Sequence, residues 1–277
     1  MENSGYYYDS TNGFKPFSVN GTDTNILDVP LRYLLGFAED YRRIMLNVKQ
    51  ELVLRRAAND IDCLNTEGKI DIKRLEWRIP YIEVSDEAKL SLLKMVRDDT
   101  PIQMSFRHWE LYEYPSVPSS TKHSWNVKTA SHMEKPRYIV VALQTARRGV
   151  ATKNASHFDK CKVKDVRVYL NTRYFPYETI DGDDSRMYNM YTQFNGTYNH
   201  GDTRAGIPLL PKSALQKLPL FVFDCSRQTE TLKTGSVDIR VDFEASENIP
   251  ESTRAYCLMI YDVIKEYRPL TGTVHSV

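Results

Sequence analysis

The stretch Val237–Ala245, VDIRVDFEA, alternates without a break: Val237, Ile239, Val241, Phe243 and Ala245 share one parity, and Asp238, Arg240, Asp242 and Glu244 share the other. A repeat of two residues belongs to a pleated strand with one face buried and one face wet. The polar set could in principle be an acid/base site or a metal cradle. Its acids stand on alternate residues, about 7 Å apart by strand rise. That separation could suit a glycosidase pair, which also needs a cleft and one carboxyl with a raised pKa. Arg240 lies between Asp238 and Asp242 and would keep both ionised. The reading is a solvated strand face.

The same period recurs along the chain. In IMLNVKQELVLRR, Ile44, Leu46, Val48, Leu52 and Leu54 share a parity. In KIDIKRLEWRIPYIEV, Ile70 and Ile72 give way to Leu75, Trp77, Ile79 and Tyr81, a change of parity that predicts a bulge near Arg74. Pro80 marks an edge or a strand end. Further strands are expected in IQMSFRHWELYEY, SWNVKT, RYIVVALQT, VKDVRVYLN, LFVFDCS and RAYCLMIYD, several rich in Val, Ile, Tyr and Phe.

Two helical insertions interrupt them. Ser85 caps a short helix with acids in its first turn and Leu90, Leu93 and Val96 on one face, and residues 213–217 suit one further turn. Residues 178–208 are polar, with glycines and tyrosines, and read as an elaborated surface loop. Residues 1–25 lack periodicity and read as a flexible arm. The expectation is an all-β chain: one jelly-roll sandwich or barrel of about eight antiparallel strands over 26–277, with short helical insertions and long loops.

At 277 residues the chain can bury a sizeable core, and a net charge of +1 demands no polyanionic partner. The paired arginines at 42–43, 55–56 and 147–148 lack interleaved aromatics and read as solvated strand ends. No apolar run approaches the roughly 20 residues that span a bilayer. The first residues lack the pattern of a signal peptide, so an intracellular, non-secreted product with reduced thiols is expected.

Catalytic chemistry finds little to stand on. No nucleophile elbow, phosphate-cradling loop, HExxH or EF-hand pattern appears. DGDD at 181–184 lacks the later glutamate and spacing of a calcium loop and reads as an acidic turn. His123 and His132 are too far apart for a cupin-type metal pair, and His108 falls in a strand. Cys225 has the parity of Phe221 and Phe223 and suits a small buried filler better than a nucleophile. No catalytic, cofactor or metal residue is therefore assigned, and no enzyme is expected. Tyr174, Phe175, Tyr177, Tyr188 and Tyr191 crowd one loop region and are the candidate contact surface.

Three groups of segments, taken together, resemble a known family: PLRYLLGFAEDY (30–41); EKPRYIVVALQT with FDKCKVKDVRVYLNTRYFPYE (134–145 and 158–178); and LPLFVFDCSRQTETLKTGSVDIRVDFEASENIPESTRAYCLMIYD (218–262). They are similar to the major capsid proteins of double-jelly-roll DNA viruses, especially Polinton/Maverick and adintovirus-like elements. The likeness runs from about residue 29 to 267 and lies in the co-occurrence of the blocks. It implies upright barrels in a shell, function by assembly, and no active site. Family members carry two tandem barrels, three copies to a capsomer, whereas this chain has strands for about one and its blocks look like the second. Six copies could replace three, a partner subunit could supply the other barrel, or the gene could be a shortened relic with another use. Partners implied are further copies in a trimer- or hexamer-type assembly, or another capsid subunit, with nucleic acid only as shell contents. The location implied is a virion or capsid-like particle. A monomeric glycan- or receptor-binding module is the alternative.

Overall fold

The computed structural model describes residues 6–9, 13–16, 26–57, 59–63, 69–127, 135–150, 152–176, 179–199, 210–226 and 237–276. They divide into two compact units. The second comprises residues 51–81 and 110–261, the first residues 1–50, 82–109 and 262–277.

Among the described residues two sheets of five and four strands form, and eight of these strands follow the order expected of a jelly roll. In chain order after an N-terminal hairpin, β1 (Tyr6–Asp9) with β2 (Gly13–Pro16), they are β3 (Ile102–Tyr114), β4 (Lys122–Val127), β5 (Pro136–Thr145), β6 (Val163–Leu170), β7 (Arg173–Phe175), β8 (Phe221–Asp224), β9 (Ile239–Ala245) and β10 (Thr253–Arg268). One sheet runs β10-β5-β8, with β3 also paired to β10; the other runs β4-β9-β6-β7. Successive strands thus alternate between sheets, from β3 to β4, β4 to β5, β5 to β6, β7 to β8, β8 to β9 and β9 to β10, with only β6 to β7 staying within one sheet. This is the Greek-key order of a jelly roll. A short β11 (Thr273–Ser276) lies antiparallel beside the end of β10.

Alternation builds the core of the second unit. In β9 the residues Ile239, Val241, Phe243 and Ala245 are buried while Arg240 and Glu244 are exposed. Its neighbour β6 contributes Val163, Val166, Val168 and Leu170, and β4 contributes Trp125 and Val127. A register shift between Val163 and Asp165 keeps that buried set in phase.

β5 and β8 differ because both of their faces are covered: Ile139, Val141, Ala142 and Leu143 are buried together, as are Phe221, Val222 and Phe223. Much of the outer cover is a helix. Residues 184–198, expected as loop, form α3 (Asp184–Tyr198) after α1 (Gly36–Asp40) and α2 (Asp86–Arg97). Asp183 caps α3 by accepting the Ser185 N–H at 2.8 Å, so DGDD turns the chain and starts a helix. Met187, Tyr191, Phe194 and Tyr198 recur every third or fourth residue, and Phe194 and Tyr198 meet the buried Tyr138 edge-on at ring-centroid distances of 5.0 and 6.4 Å.

The first unit is tied by polar contacts. Asp40, at the end of α1, accepts the backbone N–H of Arg107 at 2.8 Å and its Nε at 2.9 Å, and also pairs with Nη2. Tyr267, buried near the end of β10, donates to the carbonyls of Leu46 and Asn47 at 2.9 and 2.8 Å. Ser85 caps α2, its hydroxyl accepting the Ala88 N–H at 3.4 Å. A 3-10 turn spans Lys212–Gln216.

Two expected strands carry no ladder. Residues 44–57 and 69–84 have no strand assignment, although their sequence alternates, and residues 71–83 are exposed on both parities. Alternation provides a pairable face; a ladder also needs a neighbour, and none is assigned to them among the described residues. Of the arm expected over 1–25, β1 and β2 are described and the remainder lies outside the described residues.

Candidate interaction surface

The five aromatic residues of the candidate surface do not form one group. β7 pairs with β6, setting Tyr174 opposite Tyr169 and Phe175 opposite Val168. Tyr174 is half-buried, its ring 5.6 Å from that of Tyr169 and 5.5 Å beneath the Arg167 guanidinium. Tyr177 lies outside the described residues. Tyr188 and Tyr191 sit one turn apart on α3, rings 6.2 Å apart. Tyr188 donates to the Leu210 carbonyl at 3.1 Å, and the Leu210 N–H donates to the Tyr191 hydroxyl at 3.2 Å. With Pro211, Ala214 and Leu218 they line a small apolar crevice that fastens the 210–218 segment to α3. Tyr191 is only 9% exposed, so its ring serves packing first.

The polar face of β4-β9-β6-β7 answers the question VDIRVDFEA raised. Cross-strand register places Lys122 opposite Glu244, Ser124 opposite Asp242, Arg167 opposite Asp242 and Tyr169 opposite Arg240. Ser124 donates to Asp242 at 2.7 Å, Arg240 reaches the same carboxylate at 3.1 Å, and Lys122 stands 3.6 Å from Glu244. Arg167 pairs with Asp165 at 2.9 Å; burial opposes its charge, but that carboxylate outweighs burial and raises the guanidinium pKa. The Arg240 guanidinium lies 4.1 Å over the Tyr169 ring. Asp242 and Glu244 each face a base or hydroxyl across the pleat, while Asp165, opposite Glu244, is paired with Arg167 on its own strand. The arrangement is a shallow, open, charge-balanced depression suited to contact with another polar surface.

The thiols are placed for packing. Cys225 and Cys257 are fully buried; burial drives the Cys225 thiol pKa far up and that of Cys257 up to about 12. Cys161 is also raised, by burial first, with Thr145 Oγ1 3.3 Å from its sulfur. A thiol held protonated is a poor nucleophile. His123 is buried, its Nε2 2.9 Å from the Ser120 carbonyl and its ring stacked on Phe243 at 4.6 Å. Among the described residues no group of three His, Cys, Asp or Glu side chains is arranged to hold a metal ion, and no helix is long and apolar enough to cross a membrane.

Sequence reasoning missed several residues that shape these surfaces. Asp183 and Met187 belong to α3. Glu113 is engaged by both Arg148, at 3.3 Å, and Arg254 at the rim of the second unit. The signal for α3 was present in the unbroken apolar runs of β5 and β8, which require cover on both faces.

No curated protein matches the sequence. Among solved structures, the chain is similar to the Sputnik virophage structure (9% identity, TM-score 0.40, covering 64% of this chain and 39% of that one) and to the mavirus major capsid protein (8% identity, TM-score 0.35, 64% and 41%). A PBCV-1 virus capsid chain aligns at 7% identity and TM-score 0.38 over 68% of this chain and 54% of that one. The chain thus spans about two fifths of the length of the first two. The sequence model of the double jelly roll-like domain matches residues 13–265. That match takes in β3 to β9 and most of β10, and the chain belongs to the double jelly roll-like domain family.

Proposed function

We propose that this protein is a virus-derived, capsid-like structural subunit that works by associating with copies of itself or with a second capsid subunit. The observation that carries the reading is the family match over residues 13–265 laid on strands in jelly-roll order. A jelly roll closed by two sheets offers broad side faces and loop ends, the surfaces through which shells are tiled. The balanced polar face of β4-β9-β6-β7 and the half-exposed Tyr174 and Phe175 are available for such contacts. The role is non-enzymatic, and the location is a virion or capsid-like particle. The blocks resembling the second barrel of Polinton/Maverick and adintovirus-like capsid proteins suggest one barrel of a pair, completed by six copies in place of three or by a partner subunit. A domesticated relic would keep the association and lose the shell.

The glycan-binding alternative is less favoured by the rings themselves. A sugar stacks on an open aromatic face, whereas Tyr169 and Tyr174 lie beneath guanidinium groups and Tyr191 is buried. Negative-stain microscopy of the purified chain, with light scattering over a range of concentrations, tests the proposal. Discrete rings, trimers, hexamers or shells are expected; a chain monomeric at the highest concentration would defeat self-association and leave only the partner-subunit form of the proposal.

A further inference from the structure

The segment between the two described helices of lowest number, residues 69–84, is unusual for a jelly-roll protein. It carries no helix, turn, bend or strand assignment, and residues 71–83 are all exposed. Leu75 is 71% exposed, Ile79 51% and Ile72 54%. Among the described residues no strand pairs with this stretch, which leaves its apolar side chains open to a partner.

Its side chains are already sorted as in a sheet. Lys73 pairs with Asp71 at 2.5 Å, and Arg74 and Arg78 both reach Glu76, the latter at 3.5 Å. Partners two residues apart share a face, so Asp71 lies with Lys73, and Glu76 with Arg74 and Arg78; the bulge expected from the sequence near Arg74 would bring both sets onto one charged side. Ile70, Ile72, Leu75, Trp77 and Ile79 then form the other, apolar side.

We infer that residues Ile70–Ile79 form a two-fold antiparallel ribbon with the same residues of a second copy of this chain. The inference rests on the self-associating role proposed above and assigns a surface to it. With the axis through Leu75 and the bulge present in both strands, Ile70 faces Ile79, Ile72 faces Trp77 and Leu75 faces its own counterpart. On the charged side Asp71 faces Arg78, and Lys73 with Arg74 faces Glu76. Every apolar residue meets an apolar one and every charge meets its opposite, in a register fixed by the symmetry alone. This self-complementarity selects a second copy over an unrelated partner. Pro80, with no N–H to donate, ends the ladder one residue beyond the last pair.

The ribbon puts the two Leu75 side chains in direct opposition, so a single cysteine reports it. Leu75→Cys and, as a control, the exposed but excluded Ile82→Cys are oxidised gently as full-length chains and compared on non-reducing gels. A disulfide-linked dimer forming at least tenfold faster in Leu75→Cys is expected; equal rates would overturn the ribbon. By sedimentation velocity, Trp77→Glu weakens association at least tenfold. Asp71→Arg and Arg78→Asp each weaken it, and the double exchange restores it. If Trp77→Glu assembles like the parent, this surface is wrong while the capsid-like role stands. If the parent itself is monomeric, the ribbon and self-association both fall.

Discussion

Asp159 shows how one carboxylate can hold a connection. It accepts the Thr145 N–H at 2.9 Å and is gripped at both oxygens by Arg147, at 2.9 and 2.6 Å, closing the turn that leads from β5 to β6. Burial by itself would raise its pKa; the Arg147 guanidinium and the Thr145 amide outweigh burial and hold it below the ordinary 3.8. A folded-state pKa that is lowered contributes stability above the unfolded value and loses it as pH falls through the folded one. Asp159→Asn should therefore cost about 1–3 kcal/mol at pH 7. It should also lose less on acidification below 3.8 than the parent does, as urea titrations at pH 7 and pH 3 would show. Gly36 is a second such position: a Cβ there would stand 1.9 Å from the Arg107 carbonyl oxygen, against backbone that cannot swing away. Gly36→Ala should destabilise by about 1–3 kcal/mol or more, read as a fall in Tm, and loosen the Asp40 contacts with Arg107. Parity alone placed Cys225 inside, because burial on a strand follows alternation. The double grip on Asp159 was illegible, since its donors are 12 and 14 residues away and meet only when the strands pair.

At the scale of elements, every strand of the two main sheets except the short β7 and β11 was legible from runs of Val, Ile, Tyr and Phe, alternating or, in β5 and β8, unbroken. The failures have two physical causes. α3 was read as loop because its composition is polar, while its apolar residues are Met and aromatic rings spaced for one stripe; that stripe becomes decisive only beside the second apolar face of β5 and β8. Residues 44–57 and 69–84 erred the other way, because local alternation says nothing about whether a neighbour exists. The stripe also gives α3 a measurable role. Met187 is 1% exposed, and Met187→Ala should cost about 2–5 kcal/mol in urea unfolding. Arg186→Ala, one residue away on the exposed side, gives up a bond to the Thr179 carbonyl and should cost no more than about 0.5–1.5 kcal/mol. Equal effects would show that α3 does not cover the sheet.

For the molecule as a whole, the outside is as informative as the core. The second unit dresses one sheet with α3 and leaves the other with a wet lattice of paired charges, yet it also displays Leu75 and Ile79 in open solvent. Exposed apolar side chains in a strand-like row are a liability for a lone monomer and an asset for a subunit, since association removes them from water. Binding that favours the folded chain raises its stability by mass action, by about 0.7 kcal/mol per chain for each tenfold rise in concentration above the association midpoint of a dimer, because free monomer then grows only as the square root of the total. For a chain of this size that corresponds to a Tm shift of roughly 1–2 °C per tenfold. Scanning calorimetry of the parent over two decades of concentration should show this rise, and Trp77→Glu should flatten it while leaving the low-concentration Tm unchanged. A parent Tm independent of concentration would mean that the folded chain gains nothing from its own copies, and the self-associating role would have to be abandoned.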